Sequence, residues 1–291
     1  MKHFLSISDQ SSASLQSLID RSFYFKQKNL FGKNLQNLYV ALLFFENSTR
    51  TKFSFEVAAK NLGSHVLHFE PENSSLEKGE SLLDTMKTLE SLGTRIAVIR
   101  HSDDELIETI AKKVNLSLIN AGAGKKEHPT QALLDIMTMV EEFGQTRRLK
   151  ILIAGDILHS RVATSNFLLL NKLGHEVVFS GPKVLMPLYQ HDYENFDLAL
   201  KTSDVVMILR MQKERHDHNF TGNHYLEEYG LTLARAKQMK KDAIIMHPAP
   251  INWGMELEDG IAELASSRIF RQMQNGVYAR MAVLESLVEA Q

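Results

Sequence analysis

Cysteine is absent from the 291-residue chain. That excludes disulfides, thiolate metal sites and a cysteine nucleophile in one step. Nothing calls for oxidising conditions, so a cytoplasmic location is expected. A charge excess of one sign is also missing. Lys plus Arg is 33 against 35 for Asp plus Glu, a net −2. A dedicated nucleic-acid binder normally carries a basic surplus, although the balance leaves room for a local cationic pocket. Long hydrophobic runs are lacking as well. The longest, Leu38 to Phe45, falls far short of the ~20 residues that cross a bilayer. The Phe4–Ile7 stretch is too short for a signal-peptide core, so a soluble intracellular protein is expected. What is present is ordinary for a globular chain: 44% apolar and 23% charged residues. At roughly 150 residues per domain, the length suggests two.

Apolar runs alternate with stretches of helical character. The strand candidates are Leu38–Phe45, His65–Phe69, Arg95–Ile99 and Leu116–Ile119, then Lys150–Ala154, Glu176–Phe179, Asp204–Leu209 and Ala243–Met246. They are rich in Val, Ile, Leu and Phe and do not alternate with polar residues, the pattern of parallel strands covered on both faces. Leu-Gly pairs at Leu62-Gly63, Leu92-Gly93 and Leu173-Gly174 precede three of them. Glycine after a helix takes the left-handed conformation cheaply. The expected fold is α/β, with two doubly wound parallel-sheet domains joined by interdomain helices. A long helix from Gln131 to Phe143, stopped by Gly144, separates the two strand sets, and a helix over Val277–Glu289 closes the chain. The expected domains are 1–131 plus 276–291, and 132–275.

Ligands of such sheets sit beyond the carboxyl ends of the strands. After the first strand comes Glu46-Asn47-Ser48-Thr49-Arg50-Thr51, then an amphipathic helix. Capping hydroxyls, the amides of a helix start and a guanidinium fork all suit phosphate, although a capped helix with an exposed arginine explains the segment equally well. Arg100-His101 follows the third strand, and Asn120-Ala121-Gly122-Ala123-Gly124 follows the fourth, leading to His128-Pro129-Thr130-Gln131. Pro129 fits the first turn of a helix, with His128 at its entrance. Gly122 to Lys126 lacks the spacing of a phosphate loop, and Gly155-Asp156 is not followed by a dinucleotide fingerprint. Arg161 follows the fifth strand. Arg210-Met211-Gln212-Lys213-Glu214-Arg215 follows the seventh and His247-Pro248-Ala249-Pro250 the eighth. Singly, Arg50, Arg100, Arg161 and Arg210 read as surface charges. If the two sheets face one another, they converge on one cleft suited to a substrate pair with several negative charges. No carboxylate pair or multi-histidine spacing suggests a metal, and no cofactor is expected.

Taken together, these motifs resemble the aspartate/ornithine carbamoyltransferase family, and its aspartate branch in particular. The resemblance rests on Phe45–Thr51, His128–Asp135, Gly155-Asp156 with Ser160-Arg161-Val162, and Arg210–Arg215. It covers nearly the whole chain in the family's order. It implies carbamoyl transfer from carbamoyl phosphate to L-aspartate, early in pyrimidine synthesis, by a cytoplasmic homotrimer with shared active sites. It further implies that Ser48, Thr49, Arg50, Thr51 and Arg100 hold the phosphate. Thr51, Arg100 and His128 would polarise the carbamoyl oxygen, while Gln131 and the carbonyls of Pro248 and Ala249 orient its NH2. Arg161, Arg210 and Gln212 would bind aspartate. The segment Ser74–Glu80 resembles the loop that a neighbouring subunit donates. Its Lys78 would reach both the phosphate and the aspartate, together with a serine, Ser74 or Ser75. Glu46 would pair with Arg161 and Arg215 to favour closure. In place of an arginine found in many relatives, the chain has Trp253, its only tryptophan; bracing of that loop by the indole is the favoured expectation. The ornithine branch would need a cysteine within the His247–Pro250 motif.

Overall fold

Each of the eight apolar runs becomes a strand. In the computed structural model, which describes residues 1–28, 34–187, 193–212 and 224–289, the strands form two parallel four-stranded sheets. The first contains β1 (Tyr39–Phe44), β2 (His65–Phe69), β3 (Thr94–Arg100) and β4 (Ser117–Asn120) in the order β2-β1-β3-β4. The second contains β5 (Lys150–Ala154), β6 (Glu176–Ser180), β7 (Val205–Ile208) and β8 (Ile244–Met246) in the order β6-β5-β7-β8. The two sheets therefore repeat one topology.

Helices connect the strands. They are α1 (Ser12–Lys28), α2 (Thr49–Asn61), α3 (Leu82–Ser91), α4 (Asp104–Ala111) and α5 (Pro129–Phe143), then α6 (Arg161–Lys172), α7 (Phe196–Thr202), α8 (Tyr225–Tyr229), α9 (Leu233–Ala236) and α10 (Ile269–Glu289). The glycines after α2, α3 and α6 are left-handed, with φ of 84° at Gly63, 89° at Gly93 and 80° at Gly174. A β-carbon is disfavoured in that region, so the Leu-Gly pairs terminate their helices for a steric reason.

The central strands are apolar on both faces because both faces are covered. In the first sheet Ala41, Leu43, Ala97 and Ile99 pack with Met86, Ile107 and Ile110. In the second, Leu152, Val206 and Ile245 pack with Phe196, Leu231 and Ile269. Each fully buried Leu or Ile contributes roughly 1.5–3 kcal/mol. β2 departs from the expectation of full burial. It is an edge strand, and His65 and His68 are exposed. The last helix departs too, starting at Ile269 rather than Val277.

Two compact units result: residues 1–137 with 273–291, and residues 138–272. The changes from one unit to the other fall inside α5 and α10. No helix among the described residues is long and apolar enough to cross a membrane.

Candidate active site

In the first unit the chain leaves β1 toward β2 and leaves β3 toward β4, in opposite directions across the sheet. That makes the carboxyl edge between β1 and β3 a topological switch point, where open α/β sheets hold ligands. Phe44 and Arg100 are register partners at this edge. Ser48 enters α2 in an extended conformation, and its side chain caps nothing. Its hydroxyl instead receives Nη1 of Arg100 at 3.4 Å. The amides of Thr49, Arg50 and Thr51 precede the first intrahelical bond, from Lys52 N–H to the Ser48 carbonyl at 3.1 Å. Such amides carry the positive end of the helix dipole. Thr51 is buried, whereas Thr49 and Arg50 are exposed.

Glu46 lies at the same edge. Its Oε2 accepts from Nε of Arg100 at 3.1 Å. The resemblance also points to Arg161 and Arg215 as its partners. Lys213, Glu214 and Arg215 lie outside the described residues.

His128 occupies the entrance of α5, where its carbonyl accepts from Gln131 N at 3.0 Å. The side chain is 5% exposed. Gly122, at φ +92°, lies against its ring, and a Cβ there would stand 2.8 Å from Cδ2 and 2.9 Å from Nε2. The loop before His128 is shaped by two residues that sequence reasoning missed. Asn120 Oδ1 accepts from the amides of Gly122 and Ala123 at 2.8 and 2.7 Å. Glu127 accepts from Ile7 N at 2.6 Å, tying the N-terminal segment down. An Asn two residues before Gly is an Asx-turn signal that could have found the first. One turn into α5, Gln131 Nε2 donates to Asp135 Oδ1 at 2.9 Å.

The two serines of the Ser74–Glu80 segment have different local surroundings. Ser74 Oγ donates to the Pro71 carbonyl at 2.8 Å and accepts from Leu76 N at 3.3 Å, so it shapes the turn locally. Ser75 and Lys78 are exposed.

The second unit repeats the scheme. Its switch point lies between β5 and β7. Arg161 opens α6 there and is buried, and Ser160 caps the helix by accepting from Ala163 N at 3.2 Å. Fully buried Asp156 holds Nδ1 of His159 at 2.8 Å. Gln212 Nε2 donates to the His159 carbonyl at 3.0 Å, which joins the loop after β7 to the turn leading to Arg161. Asn252 Nδ2 donates to the Met211 carbonyl at 3.1 Å, and Met211 N donates to Glu256 at 3.4 Å. The Arg210–Gln212 loop is thereby tied to the segment carrying Pro248 and Ala249. That segment is fixed further by Asn252 N donating to Glu256 at 2.5 Å and Ala249 N donating to His247 Nδ1 at 2.9 Å. An Nδ1 that accepts carries no proton, which leaves Nε2 as the protonated nitrogen, 3.4 Å from Glu256. Ala249, whose N–H makes that hydrogen bond, has φ 52°, rare for a residue with a β-carbon. Burial, reinforced by the charges of Glu256 and Asp156, pushes the Tyr225 phenol far above its ordinary pKa, so it stays protonated. Trp253 is 46% exposed. Asn252 and Glu256 supply hydrogen-bonded ties within the same loop.

Each unit is an open α/β sheet with an arginine beside its switch point, Arg100 in the first and Arg161 in the second, a charge pattern suited to anionic ligands. The aspartate/ornithine carbamoyltransferase models match the chain twice: the carbamoyl-P binding domain over residues 2–141 and the Asp/Orn binding domain over residues 147–287. The chain belongs to this family. An aspartate carbamoyltransferase catalytic subunit of Oceanobacillus iheyensis is 46% identical over 287 residues, 98% of this chain and 92% of that protein. One from Staphylococcus epidermidis is 46% identical over 294 residues, 99% of this chain and all of the relative. Among solved structures, aspartate transcarbamoylase from Trypanosoma cruzi with carbamoyl phosphate superposes with a TM-score of 0.89 at 32% identity, covering 98% of this chain and 95% of that one. The same enzyme with N-(phosphonacetyl)-L-aspartic acid gives 0.88 at 32% identity, with the same coverage.

Proposed function

We propose that this chain transfers the carbamoyl group of carbamoyl phosphate to L-aspartate, giving N-carbamoyl-L-aspartate and phosphate at an early step of pyrimidine synthesis. The arrangement of Ser48, Arg100 and the start of α2 carries the reading: hydroxyl, guanidinium and helix amides meet at one switch point. Ser48, Thr49, Arg50 and Thr51 hold the phosphate, with Arg100 and a lysine, Lys78, from a neighbouring subunit. Charge-assisted hydrogen bonds contribute roughly 1.5–3 kcal/mol each, so a few of them hold a dianion firmly. Thr51, Arg100 and His128 donate to the carbamoyl oxygen as it gains charge, each such donor contributing on the order of 3–4 kcal/mol. Gln131 and the carbonyls of Pro248 and Ala249 accept from the carbamoyl NH2. Arg161, Arg210 and Gln212 bind the two aspartate carboxylates.

Phosphate is a good leaving group, so no covalent enzyme intermediate is needed. Positioning and electrostatics supply the catalysis, and the departing phosphate takes the amine proton. The working form is a cytoplasmic homotrimer in which Ser75 and Lys78 serve the neighbouring site; their exposure on a turn of their own supports that role. Glu46 exchanges Arg100 for Arg161 and Arg215 when both substrates are bound. Domain roles follow: residues 1–131 plus 276–291 take carbamoyl phosphate, and residues 132–275 take aspartate.

The test supplies carbamoyl phosphate with either L-aspartate or L-ornithine and measures phosphate and ureido product. Aspartate-dependent product is expected. Turnover with ornithine alone would overturn the acceptor, and phosphate-site binding without turnover would point to an inactive relative. The absence of cysteine from the His247–Pro250 motif favours aspartate.

A further inference from the structure

Gln131 can recognise an NH2 group only if its carbonyl oxygen faces it. An amide side chain can be reversed end for end at little cost unless a neighbour forbids it. Here the neighbour is Asp135, one turn along α5 and fully buried, which accepts from Gln131 Nε2 at 2.9 Å. A carboxylate is an acceptor only. Reversing the amide would set its oxygen against a buried anion, so the nitrogen must face Asp135 and the oxygen must point the other way.

A buried carboxylate needs an opposing charge to remain ionised. Arg280 of α10 is the buried cation whose charge interacts with Asp135. Its guanidinium is fully buried, lies 5.0 Å over the ring of Phe55 from α2, and donates to the Gly276 carbonyl at 2.9 Å. Gly276 makes room for this fold-back, because a Cβ there would collide with the donating nitrogen. Burial pulls the Arg280 pKa down to about 10 and the Asp135 carboxylate pulls it up, which leaves a cation at neutral pH. Both charges belong to the same compact unit as Gln131.

We propose that Asp135, backed by the charge of Arg280, is a positioning residue that fixes the Gln131 amide with its oxygen outward and so makes the donor site select an amino group over a methyl group. The inference rests on the carbamoyl-transfer reading and adds the origin of its donor specificity.

The probe is acetyl phosphate, which carries a methyl where carbamoyl phosphate carries NH2. Wild-type enzyme is assayed first with aspartate; failure there sinks the carbamoyl-transfer reading itself, before any variant is made. Replacing both charges, as Asp135→Leu with Arg280→Met, avoids stranding one buried ion and frees the amide to rotate. The KM for carbamoyl phosphate should then rise about fivefold to tenfold, the size of one hydrogen bond, while the inhibition constant of acetyl phosphate stays put. Gln131→Leu should do the same. Asp135→Asn with Arg280→Gln, which leaves no buried charge, stays close in volume and tolerates either end of the Gln131 amide, covers the case in which the first double variant misfolds, and should lower the preference by about twofold to threefold. A purely structural role predicts equal losses for both phosphates. Equal losses, or an unchanged preference in the Asp135 variants, would overturn the proposal.

Discussion

Gly122→Ala should lower catalysis without replacing any side chain proposed to contact substrate. The new Cβ would stand 2.8 Å from Cδ2 and 2.9 Å from Nε2 of His128. Carbon contacts relax to roughly 3.5–4.0 Å, so the imidazole must retreat by roughly 0.7–1.2 Å or the loop must move. His128 is nearly fully buried, which leaves little space for the retreat. The φ of +92° adds backbone strain of about 1–2 kcal/mol for any residue with a β-carbon. A displacement near ~1 Å in a catalytic group can lower the rate about 100-fold. Complete loss of an oxyanion donor costs about 100- to 1,000-fold. The expected kcat for Gly122→Ala is thus lower by roughly 10- to 100-fold, with a modest fall in melting temperature. Gly144→Ala is the control. It has a similar φ, +79°, and nothing within 4 Å of the added carbon, so it should lose stability alone. Carbamoyl-aspartate formation and thermal unfolding of both variants decide the matter. A kcat for Gly122→Ala within about threefold of wild type, in a folded protein, would refute the placement of His128 as a donor whose position matters.

Burial pushes the Asp204 carboxyl up, but the Lys150 amide, Lys240 and Arg147 outweigh it and hold the pKa below the ordinary carboxylate value. A depressed pKa contributes stability above the unfolded value that is lost as pH falls through the folded one. Asp204→Asn should therefore flatten the decline of melting temperature below about pH 4; an unchanged acid limb would remove Asp204 from that account. Trp253→Arg should leave stability within ~0.5 kcal/mol, as expected for an exposed site, and leave the KM for aspartate unchanged. A clear drop in that KM would show that the arginine of relatives holds substrate. Glu46→Gln removes the anion proposed to pair with Arg161 and Arg215 when both substrates are bound, and should raise the KM for aspartate more than that for carbamoyl phosphate, which initial-rate measurements separate.

The strands were legible because central parallel strands are wetted on neither face, so an unbroken apolar run is a direct record of burial. β2 shows where that record is weak. It sits at an edge, and His65 and His68 meet solvent. The start of α10 was hidden by Gly276, which reads as a helix breaker but makes room for Arg280. Residues 12–28, which form α1, stood apart from the strand–helix alternation that guided the reading. Among the proposed site residues, the visible ones follow strands and carry motif spacing: Ser48 to Thr51, Arg100, His128, Arg161 and Arg210. Those that escaped are buried polar groups acting on neighbours rather than on ligand. Asn120 folds the loop before His128, Asp135 fixes Gln131, and Glu256 joins the Met211 and Asn252 loops. Of these contacts only that of Glu256 with Met211 reaches far along the sequence; the Asn120 turn and the Gln131–Asp135 pair are local spacings that carry no ligand motif of their own. The Glu46–Arg100 ion pair escaped because it spans two strand ends.

The start of α2 as the place where carbamoyl phosphate is held and polarised is the centre of the account. Arg50→Ala tests it most directly, because Arg50 is exposed and its removal leaves the buried core intact. The measurement is kcat for carbamoyl-aspartate formation, with circular dichroism to verify folding. A fall of at least about 100-fold in a folded protein is the predicted result. A folded Arg50→Ala enzyme that keeps most of its rate would contradict the account and move the phosphate site elsewhere.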